Sequence, residues 1–366
     1  MFISYKYRIY PTSKQIALIV HQFDHCRWLY NRALGDRIAA YKTMGKSISY
    51  KDQQNELPSL KADYPGLKQI HSQVLQNILR RLDGAFQHFF RRVKQGEKPG
   101  FPRFKGKDWF DSICYPQSGF KVIGNKVELS KIGDIKIKLH RPVQGVIKTC
   151  TLKRSGRQWH IIFSSEVIRQ TEKKPIITAT GFDLGLERFM TFSSGHYTEN
   201  PGYLKRSEEK IKEIQSRYSR KKSRSAKRAL SNLHRKIRNQ RNDFHHQISR
   251  ELVKRFDLIC YEDLNIKKMI DSRYAKSIHD TGWGKFIEMV KYKAESAGSY
   301  TETVNPYHTS QTCSRCGTLV KKEIYQRRHD CPVCGLFLHW DHNAAINILK
   351  LGTNAVFQML RQLAAG

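Results

Sequence analysis

Four cysteines near the end of the chain are spaced as ligands for one metal ion. They form two Cys-x-x-Cys pairs, Cys313 with Cys316 and Cys331 with Cys334, and each pair is followed by glycine. Four thiolates satisfy the tetrahedral coordination of a structural zinc ion. A redox-active dithiol needs only one such pair, so the second pair favours zinc. The spacing therefore predicts one structural Zn²⁺ held by all four cysteines, in a zinc ribbon.

Three carboxylates stand where predicted elements begin or end. Asp183 and Glu262 each end an apolar strand pattern, and Asp341 stands just before a helix pattern. Aligned strands bring their ends to one edge of a sheet, and clustered carboxylates repel one another unless cations neutralise them. Hard oxygen ligands select Mg²⁺, with Mn²⁺ as the alternative. Two such ions about 3.5–4 Å apart can hold the attacking water and the leaving oxygen of a phosphodiester. The three acids therefore predict a two-metal hydrolytic site.

Each acid also has a simpler explanation. Aspartate and glutamate at strand ends are commonly turn residues, and Asp341 can cap the N-terminus of its helix. The joint occurrence of all three on a strongly basic chain, beside a predicted zinc site, favours the metal site.

The composition indicates a polyanionic partner. The 366 residues include 66 Lys+Arg and 32 Asp+Glu, which gives a net charge of +34. Nucleic acid is the usual partner of such a chain. No run of 18 or more apolar residues appears, and the N-terminus lacks a signal-peptide core, so no membrane partner is expected. The remaining cysteines are scattered, which favours a reducing compartment. We therefore expect a cytoplasmic, nucleoid-associated protein.

Strand and helix patterns predict an α/β multidomain protein. Residues 1–11 alternate apolar and basic side chains, and five short strand patterns follow between residues 120 and 165. These patterns predict a small antiparallel β-barrel, comprising 1–11 and 96–170, with a helical insertion at 12–95.

The second half of the chain predicts an RNase H-like nuclease domain. Its strands and helices follow the order βββαβα, with acids on the first strand, a later strand and the final helix. This domain would comprise 176–308 and 340–353, with the zinc ribbon inserted at 309–339. Residues 354–366 are expected to form a short separate helix with no assigned role.

Three stretches carry side chains suited to nucleic acid. One face of the helix pattern 71–90 is rich in amides and arginines, and the loop 96–107 interleaves aromatic with basic residues. Residues 205–241 contain fifteen Lys/Arg against three Glu, which favours helices lining a nucleic-acid channel over a merely solvated face. For any single residue, plain solvation is the simpler explanation. The candidate contacts are Gln73, Gln76, Arg80, Arg103, Phe104, Lys105, Lys221, Lys222 and Arg224, together with Arg328 nearer the C-terminus.

The chain resembles the TnpB family, insertion-sequence-borne nucleases related to the compact type V CRISPR effectors. The most specific matches are Tyr261–Leu264, the two cysteine pairs and Asp341–Asn347. Supporting matches are Tyr7–Pro11, Cys26–Asn31, Pro102–Lys105 and Gly181–Gly185.

The resemblance implies that Asp183, Glu262 and Asp341 form a RuvC-type triad. It further implies that the barrel is a wedge domain and that the helices of 12–95 form a recognition lobe. The expected partners are a guide RNA transcribed from the transposon end and a double-stranded DNA target, cut next to a short adjacent motif. Arg327 or Arg328 in the ribbon is expected to assist. Many relatives carry arginine where this chain has Trp340, but no metal ligand is lost, so an active enzyme is expected.

Other classes of protein remain open at this point. A guide-independent RNase H-like transposase or resolvase would share the acids but bind one fixed DNA sequence without RNA. A nuclease-dead RNA-guided repressor would lack an acid, and all three are present. A zinc-ribbon RNA-binding protein would leave the three acids unexplained.

Overall fold

The computed structural model describes residues 2–168, 172–266, 269, 274–321 and 326–365. The chain separates into two compact units, Met1–Arg169 and Gln170–Gly366. Within the described residues, no helix is both long and apolar enough to cross a membrane.

The first unit is built on a seven-stranded antiparallel sheet in the order β2-β6-β7-β1-β5-β4-β3. The N-terminal strand lies inside this sheet, between β7 and β5, as its alternating pattern predicts. The strands are β1 (Phe2–Tyr10), β2 (Ser112–Tyr115), β3 (Phe120–Ile123), β4 (Lys126–Leu129), β5 (Gly133–Lys138), β6 (Val146–Ser155) and β7 (Gln158–Glu166).

The sheet is a half-barrel, so the prediction of a barrel needs correction. Strands β2 and β3 remain as its two edges and do not pair with each other. Each is only four residues long, which leaves few backbone groups for a closing ladder. The five predicted strands all form, whereas β2 was not predicted.

Four α-helices connect β1 to the rest of this sheet. They are α1 (Ser13–Met44), α2 (Tyr50–Asn55), α3 (Leu57–Asp63) and α4 (Ser72–Lys94). Buried side chains of α1 and α4, such as Phe23 and Ile78, share one hydrophobic core with Tyr7 and Phe163 of the sheet. Because helices and sheet share this core, the division into a wedge domain and a recognition lobe stays a prediction. Its boundary at residue 170 lies outside the described residues.

The second unit contains a five-stranded sheet in the order β10-β9-β8-β11-β12. Strands β8, β11 and β12 run parallel, whereas β8–β9 and β9–β10 are antiparallel pairs. The strands are β8 (Ala179–Asp183), β9 (Arg188–Phe192), β10 (Tyr197–Glu199), β11 (Leu258–Glu262) and β12 (Tyr300–Val304), and β13 (Arg328–Asp330) and β14 (Phe337–His339) form a separate hairpin.

Six described α-helices belong to this unit. They are α5 (Tyr203–Arg206), α6 (Glu208–Lys221), α7 (Arg224–Arg255), α8 (Ala275–Thr281), α9 (Trp283–Ala297) and the C-terminal helix α10 (Trp340–Ala365). Phe182 and Tyr261 of the sheet share a core with Phe286 of α9. Ile348 and Val356 of α10 pack with Cys260 in a second cluster.

The C-terminal helix corrects two predictions. It begins at Trp340, so Asp341 lies in its first turn and not before it. It continues to Ala365 without a break, so no separate short helix starts at Asn354. The physical reason is that Val356 is buried against the strands, which extends the packed face of the helix beyond residue 353.

Candidate acidic site and four-cysteine centre

The acidic site lies at one edge of the five-stranded sheet. Asp183 is the last residue of β8 and Glu262 the last residue of β11. These strands are parallel neighbours in which Phe182 pairs with Tyr261, so the two acids follow directly after paired residues. Asp341 reaches the same site from the first turn of α10, which packs across β8 and β11. The helix N-terminus carries a partial positive charge that favours a carboxylate there.

Gly181 allows α10 to lie directly against β8. A Cβ atom at this position would be 2.5 Å from the Leu349 amide nitrogen and 2.6 Å from the Ala345 carbonyl oxygen. Both are backbone atoms of the helix, so neither can turn aside. The glycine therefore sets the distance between the strand that carries Asp183 and the helix that carries Asp341.

Burial and like charges govern the protonation of the acids. Burial raises the pKa of Asp183 well above its usual range, and the charges of Glu262 and Asp341 raise it further. Burial also raises the pKa of Glu262, and a hydrogen bond from the Thr309 hydroxyl opposes that rise. In the described part of the chain, no lysine or arginine forms an ion pair with Asp183 or Glu262. A partly buried carboxylate cluster in which neither strand acid pairs with a lysine or arginine fits a site for metal cations.

The three acids are too widely spaced to share one small ion. Among the described residues, the four cysteines alone form a group of three or more metal-ligating side chains with all ligand atoms within 4.8 Å of one another. Oxygen ligands of one Mg²⁺, each about 2.1 Å from the ion, lie at most about 4.2 Å apart. In this arrangement the three acids therefore do not form the ligand shell of a single Mg²⁺ ion.

The four cysteine sulfurs have the spacing of a zinc site. The Sγ atoms of Cys313 and Cys334 are 3.6 Å apart, and so are those of Cys316 and Cys331. Tetrahedral zinc with Zn–S bonds of about 2.3 Å separates its sulfurs by about 3.8 Å. The donor set therefore fits one Zn²⁺, as the sequence predicts.

Tight turns hold the cysteines in place. Gly317 donates its backbone N–H to the Cys313 carbonyl at 3.0 Å, and Gly335 donates to the Cys331 carbonyl at 2.9 Å. Both glycines have a positive φ, 81° and 66°, a backbone conformation that residues with a side chain rarely adopt.

Hydrogen bonds from Thr318 lower the pKa of Cys316 to about 6. Burial, together with neighbouring sulfurs, raises the pKa of Cys334 to about 12, so four thiolates require a cation.

Two buried asparagines of α10 connect the two centres. Asn343 accepts a hydrogen bond from the Ser314 N–H at 2.9 Å, next to the first cysteine. Asn347 donates to the carbonyl oxygens of Thr309 and Thr312 at 2.8 and 2.7 Å. The sequence motif contains both asparagines, but nothing in its pattern indicated that they bind the chain between Thr309 and Ser314. Nor did it indicate that Thr309 contacts Glu262.

The two arginines of the ribbon that were expected to assist catalysis already have partners. Arg327 Nε lies 3.7 Å from Glu187 Oε2, and the Arg328 guanidinium lies over the Phe337 ring, 5.7 Å from its centroid. His339 was not predicted as a site residue, yet its Nδ1 lies 3.7 Å from Asp341 Oδ2. The assisting role expected of Arg327 or Arg328 stays a prediction.

The residues of the first unit that were predicted to contact nucleic acid differ in exposure and in the contacts they already make within the fold. The Gln73 amide is used within the fold, because its oxygen accepts a hydrogen bond from the Ser118 N–H at 3.0 Å. Arg80 is exposed and stacks over Tyr50, and Gln76 is half-buried. Phe104 is 59% exposed, which leaves its ring free to stack on a base.

The loop around Phe104 is anchored on α1. Asn31 donates its side-chain amide to the Lys105 carbonyl at 3.0 Å and accepts from the Lys105 N–H at 2.7 Å. Arg103 next to it is exposed. The anchor holds the basic and aromatic side chains of this loop at a fixed position on the first unit.

The basic residues 205–241 form a helical hairpin in the second unit. Helices α6 and α7 pack against each other and meet at Lys222, which has the left-handed φ of 46°. Lys221, Lys222 and Arg224 are exposed at this junction. The helices predicted for this stretch form, and their contact with nucleic acid stays a prediction.

Comparisons with known proteins cover most of the chain. Residues 1–46 match the family described as "Helix-turn-helix domain", residues 160–273 match "Probable transposase", and residues 283–348 match "Cas12f1-like, TNB domain". The last range includes Asp341 and all four cysteines.

Relatives and a solved structure agree with these matches. InsQ of Escherichia coli K12, provisionally named an RNA-guided DNA endonuclease, is 29% identical over 375 residues, covering 95% of this chain and 92% of InsQ. The TnpB-like protein L770 of Acanthamoeba polyphaga mimivirus is 28% identical over 238 residues, covering 59% of this chain and 46% of L770. The structure titled mini-RNA-guided endonuclease CRISPR-Cas_phi3 superimposes with a TM-score of 0.53 at 10% identity, covering 96% of this chain and 92% of that chain.

The fold is that of an α/β multidomain protein resembling the Cas12-type effectors, with a four-cysteine centre near its C-terminus. Within that class, the family matches and the relatives agree with the resemblance to the TnpB family that the sequence indicates.

Proposed function

We propose that this protein is an RNA-guided, Mg²⁺-dependent DNA endonuclease with a RuvC-type, RNase H-like active site. The observation that carries the proposal is the meeting of Asp183, Glu262 and Asp341 at one sheet edge. They come from two parallel strands and a helix, and no cationic side chain in the described residues pairs with Asp183 or Glu262.

The sheet topology supports the nuclease assignment. Numbered within the second unit, the strand order β10-β9-β8-β11-β12 is 3-2-1-4-5, with three antiparallel strands followed by two parallel ones. This arrangement agrees with the RNase H-like order that the sequence predicts. It also explains why the acids of the first and fourth strands are neighbours, although 78 residues separate them in the chain.

The three acids would hold two Mg²⁺ ions, with Mn²⁺ as a substitute. Bound ions would stabilise the charge on the attacking water and on the leaving oxygen of a phosphodiester. The protein's own contribution is to keep three carboxylates together despite burial and mutual repulsion, which both raise the pKa of Asp183.

A guide RNA and a DNA target are proposed as partners. The printed names of InsQ and of CRISPR-Cas_phi3 describe RNA-guided endonucleases. In this chain, the exposed hairpin tip at Lys222 and the exposed Phe104 offer surfaces for phosphates and unpaired bases. We further propose that the guide comes from the transposon end and that cutting occurs beside a short adjacent motif, read through the first unit.

A second candidate function follows from the family description "Probable transposase", which matches residues 160–273. A guide-independent transposase or resolvase would use the same acids. It would bind one fixed DNA sequence and would not need RNA.

The deciding experiment purifies the protein with and without the RNA transcribed beside its gene. Each preparation is offered plasmids that carry matched or scrambled targets, in Mg²⁺ and in metal-free buffer. The proposal expects cutting only with RNA, Mg²⁺ and a matched target. Cutting by RNA-free protein, or cutting indifferent to the guide sequence, would favour the transposase or resolvase. The Asp183→Asn variant is the control for contaminating nucleases.

A further inference from the structure

A short segment connects the acidic site to the four-cysteine centre. The 305–314 segment follows β12 and leads to the first cysteine, and all its residues are described. Its central residue, Thr309, is 3% exposed. The Thr309 hydroxyl donates a hydrogen bond to Glu262 Oε1. Thr309 provides the one hydrogen bond that the Glu262 side chain receives from the described part of the chain.

We propose that Thr309 is a positioning residue that fixes the Glu262 carboxylate for metal binding. This inference rests on the proposed function, in which Glu262 is a metal ligand. A hydrogen bond to one carboxylate oxygen restricts the rotation of the group and directs the other oxygen, Oε2, towards the site. Partners of this kind orient metal ligands, and their loss typically lowers metal affinity or activity by about 10–100-fold.

Thr309 is itself held by the helix that carries Asp341. Asn347 of α10 donates its side-chain amide to the Thr309 carbonyl at 2.8 Å, and its other acceptor is the Thr312 carbonyl at 2.7 Å. Asn343, one turn closer to Asp341, donates to the Thr312 carbonyl at 2.8 Å. Asp341 and the support of Glu262 are therefore fixed to one rigid element, and the two acids are positioned together.

The hydroxyl of Thr309 has one competing acceptor. The Pro306 carbonyl oxygen lies 3.2 Å from Thr309 Oγ1. A hydroxyl donates a single proton, and a hydrogen bond to an ionised carboxylate is roughly twice as strong as one to a neutral carbonyl. The ionised carboxylate of Glu262 therefore accepts this hydrogen bond in preference to the Pro306 carbonyl. The ionised form is also the one that a metal ligand must have.

The test measures Mn²⁺ binding by the purified protein, using the electron paramagnetic resonance signal of free Mn²⁺. Thr309→Val removes the hydroxyl and keeps the shape of the side chain. Thr309→Ala removes it without placing a second methyl group near Glu262. Thr309→Ser keeps the hydroxyl. Thr312→Val is the matched control, because the hydrogen bonds of Thr312 to α10 use its backbone carbonyl. Zinc content and melting temperature are recorded for each variant.

The expected result is a loss of Mn²⁺ affinity of about 10–100-fold in Thr309→Val and Thr309→Ala. Zinc content should stay at the wild-type value in both, and Thr309→Ser and Thr312→Val should bind Mn²⁺ like the wild type. The Mg²⁺ concentration for half-maximal cutting should rise by a similar factor. Any folded variant without the hydroxyl that binds Mn²⁺ with wild-type affinity overturns the proposal, and so does a serine variant that behaves like valine.

A double-mutant cycle separates this inference from the proposed function. If Thr309 acts through Glu262, adding Thr309→Val to Glu262→Gln should change Mn²⁺ affinity no further. If Glu262→Gln alone leaves Mn²⁺ affinity unchanged, Glu262 is not a ligand and the proposed site is wrong. If Glu262→Gln weakens binding but Thr309→Val does not, only the role of Thr309 is wrong.

Discussion

The four-cysteine centre and the acidic site are assembled in opposite ways. The cysteines span 22 residues, from Cys313 to Cys334, and local turns set their positions. The acids span 159 residues, from Asp183 to Asp341, and three separate elements bring them together. The cysteine centre is therefore a local feature that stabilises its own surroundings when zinc is bound. The acidic site depends on the whole second unit and opposes its stability, because its charges repel.

The comparison predicts that the acids are required for cutting but not for folding. Asp183→Asn, Glu262→Gln and Asp341→Asn each keep the side-chain shape and remove a negative charge. We expect each to reduce cutting by at least about a thousand-fold, since the metal ions lose a charged ligand. The melting temperature should stay the same or rise, because repulsion is relieved.

Cleavage rates and melting curves of these three variants, measured with the same guide RNA, check this expectation. Undiminished cutting by Asp183→Asn would show that the active site lies elsewhere. A fall of several degrees in melting temperature would show that the acids stabilise the fold.

The cysteine centre should respond in the opposite way. The double substitution Cys331→Ser and Cys334→Ser should lower the zinc content from about one per chain to near zero, since two of four ligands are lost. The ribbon should lose structure, and hydrogen exchange should increase across the 305–314 segment. Metal analysis and exchange mass spectrometry measure both effects. Full zinc content in this variant would contradict the assignment.

A smaller effect is expected where the fold brings α10 against β8. Gly181→Ala should destabilise the protein by about 1–3 kcal/mol, because its Cβ would overlap backbone atoms of the helix. It should also impair cutting without changing zinc content. Gly284→Ala is the matched control in the same unit, since among the described residues its Cβ would meet only Ile266 Cδ1, at 3.4 Å. Chemical denaturation of both variants checks this difference, and equal stabilities would refute the close approach.

The smallest effect concerns pH. The folded-state pKa of Asp183 is raised, so the folded protein binds this proton more tightly than the unfolded chain does. The stabilisation is present below the ordinary aspartate pKa of about 4 and is lost as the pH rises towards the folded-state value. In Mg²⁺-free buffer, the melting temperature of Asp183→Asn minus that of the wild type should therefore grow as the pH rises above about 4. Mg²⁺ should reduce this growth, and a constant difference would contradict it.

The sequence singled out the members of both groups, the four cysteines and the three acids, because each has a strong local signal. The cysteine spacing indicates the candidate zinc ligands directly, and an acid that ends an apolar run marks a strand end, as at Asp183 and Glu262. The same signals say nothing about neighbours across the fold. Thr309 has no periodic or compositional mark, so only the structure reveals its contact with Glu262.

Two errors have definite physical causes. Gly352 and Asn354 resemble a helix stop, yet burial of Val356 continues the helix past them. Strand β2 is four residues long and mixes polar with apolar side chains, so it gave too little alternation to predict. Whether a sheet closes into a barrel depends on whether its two edge strands pair, and the sequence pattern of a single strand does not show its pairing partner.

The unbroken C-terminal helix has a practical consequence for protein engineering. Its 26 residues form a rod of about 39 Å, with Asp341 at one end and Val356 anchored in the core along its length. Shortening the chain to residue 353 would remove that anchor and loosen the helix that carries a proposed metal ligand. A minimal version of the enzyme should therefore keep residues 354–365, and a fusion partner should be joined beyond them.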